Sequence, residues 1–195
     1  MIRLSFIFLL LTVTACGNDQ GVEKFAKKAA SEKSTAEKPT VAISAADYAR
    51  TTKDGLGAVA SVNPIATQAG IDAFAAGGNA IDAALAVAFT LGVVDSHNSG
   101  IGGGCFIVIR QADGTILAID GREMAPAKAH RDMFKRDGKI DTALSKTGAL
   151  AIGVPGSVAA LYHAQKSGGK LPFAKVVLPA ADIADAGFAV DMVFA

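Results

Sequence analysis

From residue 57 onward the apolar residues follow two rhythms. The short run "GAVASV" (57–62) predicts a strand, and "NPIATQAGIDAFAAGG" (63–78) then opens on an Asn–Pro pair. An asparagine oxygen caps a first helical turn, and proline at the first helical position gives up no hydrogen bond. The spacing predicts a helix to about Ala76, closed by Gly77 and Gly78, since glycine takes a left-handed cap most readily. A second helix is predicted over 80–91, apolar at Ile81, Leu85, Val87, Ala88 and Phe89; its Ala-rich back suits burial on most sides. Alternation then takes over: "FIVIR" (106–110), a turn at "ADG" (112–114) and "TILAID" (115–120) predict a β-hairpin. One further helix opens near Pro155 and ends at Gly168. Another, in "PFAKVVLPAADIADAG" (172–187), has Pro179 inside its pattern and is expected to kink or split there. Helices alternating with a hairpin predict a mixed α/β layered fold.

The first 54 residues have no such pattern. "MIRLSFIFLLLTVTACGN" reads as an export signal at 1–15: Arg3 supplies the positive end, 4–13 are apolar but too short to span a membrane, and small residues follow. "VTAC" (13–16) resembles the lipobox of bacterial lipoproteins, with Val13 where leucine is commoner. The expectation is a chain whose Cys16 carries acyl chains and anchors it to the membrane on the periplasmic side of a bacterial cell envelope; the alternative is an ordinary signal peptide with an unmodified Cys16. Residues 16–54, rich in Lys, Glu, Ala, Ser and Thr, read as the lipidated cysteine and a solvated tether. Pro39 interrupts anything longer than a weak helix around Phe25. The folded part is therefore expected over 55–195.

Composition narrows the picture. The 195 residues are 51% hydrophobic with a formal net charge of +1, which suits one globular domain or part of a larger one. That balance gives no basic face for nucleic acid. Mean hydropathy is +0.37, raised by the export signal and by 58–109, yet no apolar run reaches the roughly eighteen residues of a membrane helix. With Cys16 lipidated, Cys105 has no disulfide partner and reads as a small buried residue. His97, His130 and His163 form no recognisable pattern with it for nucleophilic catalysis. No metal or cofactor is implied.

"SHNSGIGGGCFIVIR" (96–110) has the glycine content of a phosphate loop, but its order is wrong. Phosphate loops run strand, glycines, helix, so that the anion meets the positive end of a helix dipole. Here the order is helix, glycines, strand, and the Lys-Ser/Thr of a P-loop is missing. The remaining reason for the glycines is a tight turn and the close approach of two backbone layers. His97, Asn98 and Ser99 before the loop read as a polar turn.

Together, "SGIGGGCF", "AIDGREMAPAKAHRDMF" (118–134) and "GALAIGVPGSVAALYHA" (148–164) resemble the γ-glutamyltransferase family, also called glutathione hydrolases. The preceding "NPIATQAGIDAFAAGGNAIDAALAVAFTLGVVDSHNSG" and the following "LPFAKVVLPAADIADAGFAV" are similar to the same family, so the resemblance runs over about 55–190. It implies the N-terminal-nucleophile hydrolase fold, an αββα sandwich, present here only in part. It also implies a precursor that cuts itself into two subunits, with the small subunit's N-terminal threonine attacking the γ-glutamyl carbonyl. The γ-glutamyl group of glutathione or a related compound then passes to water, an amino acid or a dipeptide. In "DGREMAP" the resemblance marks Arg122 as the residue that binds the donor's α-carboxylate, a task for which a planar guanidinium is well shaped. Asp120 and Glu123 either orient Arg122 or make ordinary surface pairs. Cys105 stands where the family more often has another glycine. The only Thr-Thr pair, Thr51–Thr52, is followed by Lys53, so no catalytic residue is assigned within the chain. It reads as the first part of a large subunit, expected to be silent alone. Two other readings remain: a lipid-anchored binding module or inactive fragment without the chemistry, and a relative of the β-lactam acylases.

Overall fold

The computed structural model describes residues 45–190. The expected export signal, lipidated Cys16 and the tether up to residue 44 lie outside the described residues.

The fold starts earlier than expected. A single turn of helix, α1 (Ala45–Tyr48), leads into β1 (Ala49–Thr51), which pairs antiparallel with β2 (Ala58–Ala60), Arg50 opposite Val59. The boundary at Gly55 is therefore corrected: 45–54 belong to the folded unit. Side chains hold this segment in place. The Arg50 guanidinium donates to Gln68 Oε1, and Thr67, fully buried, donates through Oγ1 to the Tyr48 carbonyl at 3.0 Å.

The long helices follow the predicted pattern. In α2 (Pro64–Ala75) the Asn63 side chain accepts the Ile65 N–H at 2.9 Å, and Gly77 ends the helix at φ +89°. The next helix, α3 (Ala80–Val94), runs past the expected end at Leu91 and is the centre of the fold, touching α2 and both later helices, α4 (Ser157–Gly168) and α5 (Phe173–Ala186). Small residues let α2 and α3 approach closely: Ala66, Ala69, Gly70 and Ala73 are buried on one, Ala83 and Ala86 on the other. A Cβ on Gly70 would lie 2.8 Å from Val59 and 2.9 Å from Val87.

The start of α3 holds a buried carboxylate. Asn79 Oδ1 accepts from Ile81 and Asp82 while Asp82 Oδ2 accepts from the Asn79 N–H at 2.9 Å, a capping box. The same carboxylate also accepts the Lys170 N–H at 2.9 Å and the Leu171 N–H at 3.2 Å, joining α3 to the α4–α5 connection. Asp82 is fully buried, and its charge sits at the positive end of the helix dipole.

The hairpin β3 (Cys105–Arg110) and β4 (Ile116–Gly121) pairs Cys105 with Gly121 and Arg110 with Ile116. Cys105, Ile107, Ile109, Leu117 and Ile119 face the helices and join the core around Leu85, Phe89, Leu161 and Val176. The outer face displays Phe106, Val108 and Ile116, exposed by 65%, 73% and 66%. Among the described residues the helices cover one face of this hairpin only.

Three other differences have local causes. A small hairpin of β5 (Lys135–Arg136) and β6 (Lys139–Ile140) turns at Asp137–Gly138, both at positive φ, as a two-residue Asp-Gly turn requires. The helix expected to open near Pro155 begins at Ser157, since the Gly156 and Ser157 N–H groups both donate to the Gly103 carbonyl at 3.0 Å. Finally, α5 continues through Pro179 without splitting; Val176 and Ala180, buried on either side of it, offset the hydrogen bond that proline forgoes.

Candidate active site

The glycine loop, the end of β4 and the approach to α4 meet at one point, and glycines make the meeting close. A Cβ on Gly104 would lie 2.9 Å from Arg122 Cα and 2.5 Å from a Glu123 carboxylate oxygen. On Gly121 it would collide with the Ala160 methyl, and on Gly156 with the Gly121 carbonyl oxygen, 2.9 Å from the Arg122 oxygen as well. Real side chains never come so near, so three backbones lie against each other with nothing between them. The loop is a packing loop, and what it packs against is the turn that carries Arg122.

That turn is tied on both sides. Asp120 Oδ1 accepts the Arg122 N–H at 2.9 Å, and two residues later Met124 and Val154 exchange backbone hydrogen bonds of 3.1 and 2.8 Å. The backbone is thus fixed while the side chain is exposed. Among the described residues the Arg122 guanidinium has neither a hydrogen-bond nor an ion-pair partner, although Asp120 and Glu123 are its neighbours in sequence. Arg122 lines a shallow cavity of about 240 Å³ with Gly104, Cys105, Phe106 and Glu123.

Cys105 lies at this cavity but is poorly suited to attack. Burial pushes its thiol above the ordinary value; a hydrogen bond from Ser157 pulls the other way, and the Glu123 charge pushes it further up. Because the thiolate is the reactive form, a raised pKa lowers reactivity at neutral pH. In a Cys16→Ser chain at pH 8, iodoacetamide should alkylate Cys105 more slowly than free cysteine, the rate climbing as pH rises toward the elevated pKa and levelling off above it. A rate equal to that of free cysteine would contradict this.

His97, Asn98 and Ser99 form the polar turn read from the sequence. Asp95, at the end of α3, receives the Asn98 side chain at 3.1 Å and the Ser99 hydroxyl at 3.4 Å, with His97 Nε2 at 3.4 Å. A larger groove of about 680 Å³ lies between α2 and α5, but its wall is mostly Ala, Leu, Pro and Ile, and its Arg50 is already engaged by Gln68 and Asp47. Sequence reasoning missed the close approach at Gly121 and Gly156 that fixes the Arg122 turn; the "DG" and "PG" pairs were the available signals.

The sequence profile of gamma-glutamyltranspeptidases matches residues 66–195. The chain belongs to the gamma-glutamyltranspeptidase family. It is 49% identical over 136 residues to the glutathione hydrolase proenzyme of Escherichia coli, a match covering 69% of this chain and 23% of that protein. The gamma-glutamyltranspeptidase structure of Helicobacter pylori superposes with a TM-score of 0.63 at 42% identity, covering 66% of this chain and 37% of the other. That of Pseudomonas nitroreducens, solved in complex with L-DON, superposes with a TM-score of 0.66 at 38% identity, covering 70% and 41%. The helices and hairpin are thus part of the α/β fold of gamma-glutamyltranspeptidases, and the chain spans about a quarter of the length of its E. coli relative.

Proposed function

We propose that this chain belongs to an enzyme that transfers or hydrolyses the γ-glutamyl group of glutathione and related compounds, and that Arg122 binds the donor's α-carboxylate. The observation that carries this reading is a guanidinium on a fixed backbone, unpaired among the described residues, on a residue that lines a small cavity. Two parallel N–H···O bonds from a guanidinium fix a carboxylate in direction as well as charge. Direction matters because the attacked carbonyl lies at the far end of the glutamyl side chain, and a misplacement of about 1 Å costs roughly a hundredfold in rate. The attacking threonine that the family resemblance implies is proposed to lie in a small subunit of the same precursor, in the part of the family's length this chain does not match. The exposed face at Phe106, Val108 and Ile116 would then meet the second sheet of the sandwich. Residues 1–15 are proposed as a removed signal and Cys16 as the lipidated anchor of a periplasmic-side enzyme.

One assay tests chemistry and location together. Membrane and soluble fractions of cells expressing the full-length gene product are given a chromogenic γ-glutamyl anilide and, separately, a glutaryl-cephalosporin. The reading expects anilide cleavage in the membrane fraction, moved to the soluble fraction by Cys16→Ser. Cleavage of the cephalosporin alone would favour an acylase, no cleavage of either a binding module, and a Cys16→Ser protein still in the membrane an ordinary signal peptide.

A further inference from the structure

We infer that Asp120 is the positioning residue that keeps Arg122 available to the donor, an inference that rests on the function proposed above. An aspartate two residues before an arginine has an obvious competing role, since its carboxylate could pair with the guanidinium and occupy it. The geometry points elsewhere. Asp120 Oδ1 accepts the main-chain N–H of Arg122 at 2.9 Å, closing an Asx turn around Gly121, the last paired residue of β4, and the described residues hold no ion pair between the two side chains. Asp120 therefore fixes where the Arg122 Cα sits and in which direction its side chain leaves the backbone, while the five guanidinium donors stay unused among the described residues.

The other restraints on this turn are steric or lie two residues on. Gly104 and Gly156 limit how far the backbone can shift toward the loop and toward α4, and the Met124–Val154 bridge holds the chain two residues on. Among the described residues, only the Asp120 side chain bonds the Arg122 amide itself. Without it the peptide plane before Arg122 can rotate, and a fork that needs both its bonds in line loses orientation before it loses charge. The turn needs a short side-chain acceptor, not a negative charge. Asparagine supplies that acceptor at the same reach; glutamate supplies the charge one methylene too far away.

The test compares Asp120→Ala, Asp120→Asn and Asp120→Glu in the full-length enzyme, with Arg122→Ala alongside and Asp113→Ala as a control. Asp113 closes a similar turn on the Thr115 N–H at 2.8 Å, in the hairpin loop away from the cavity. The inference expects Asp120→Ala and Asp120→Glu each to raise the γ-glutamyl donor KM by about fivefold, the loss of one hydrogen bond's worth of placement, with kcat falling about threefold as well because the fork aims the substrate. Asp120→Asn should restore the parental KM, and Asp113→Ala should leave it unaltered. If Asp120→Ala does not fold, the Asn–Glu pair makes the same comparison. A parental KM in Asp120→Ala and Asp120→Glu, with Arg122→Ala still impaired, overturns the role of Asp120 and leaves the donor site standing. An Asp120→Asn enzyme as weak as the alanine variant overturns it too, because charge and not the accepted bond would then matter. A parental KM in Arg122→Ala would instead bring down the donor site itself.

Discussion

Arg122→Ala in the full-length enzyme should raise the KM for a γ-glutamyl donor by about a hundredfold. Two charge-assisted hydrogen bonds to a carboxylate are lost, a net of roughly 3 kcal/mol. The guanidinium has no other partner among the described residues, so the loss is not diluted by a local rearrangement. Because the same contact aims the substrate, kcat should fall as well, by about tenfold. Arg122→Lys keeps a point charge without the fork and should fall between, with KM raised about tenfold. Acceptor KM should be unchanged in both. Steady-state kinetics with varied donor at fixed acceptor checks all of this, and a variant with parental donor KM and kcat would remove Arg122 from the site.

Asp82→Ala should destabilise the fold by about 3 kcal/mol or more. The carboxylate is buried and is the acceptor for the N–H groups of Asn79, Lys170 and Leu171. Alanine would leave these three part-buried donors without their acceptor, at about 1 kcal/mol or more each. The favourable charge at the start of α3 is lost at the same time. Set against a typical stability of about 5–15 kcal/mol, this is a large fraction. Asp82→Asn should cost less, since one oxygen remains to accept, yet its amide would still face N–H donors. Urea unfolding followed by circular dichroism should show the midpoint falling in the order parent, asparagine, alanine. A midpoint unchanged by alanine would mean the network contributes nothing.

Both residues show what could be read from the sequence. The long elements were legible because their end signals are local: Asn63 before Pro64 starts α2, Gly77 stops it, and alternation from Cys105 to Arg110 marks a strand half-covered by helices. The segment over 45–54 was not, because β1 is three residues long and its hold depends on Gln68 and Thr67, far along the chain, while its composition blends into the Lys/Ala-rich stretch before it. The hairpin at Asp137–Gly138 carried a readable turn signal, but strands of two residues leave no alternation to detect. Asp82 could be seen as a polar residue near a helix start; its bonds to Lys170 and Leu171 could not, being set by the tertiary approach of α3 to the α4–α5 connection. For the site, the resemblance singled out Arg122, and the helix–glycine–strand order correctly ruled the loop a packing element. That Asp120 would bond the backbone and leave the guanidinium unpaired depends on the geometry of one turn, which spacing alone does not specify.

The most direct measurement is a crystal structure of the full-length protein with L-glutamate bound. The account predicts both oxygens of the α-carboxylate within about 3 Å of the Arg122 guanidinium nitrogens, with the Asp120–Arg122 turn intact. Glutamate seated elsewhere, or held at its α-carboxylate by other side chains while Arg122 points into solvent, would contradict it.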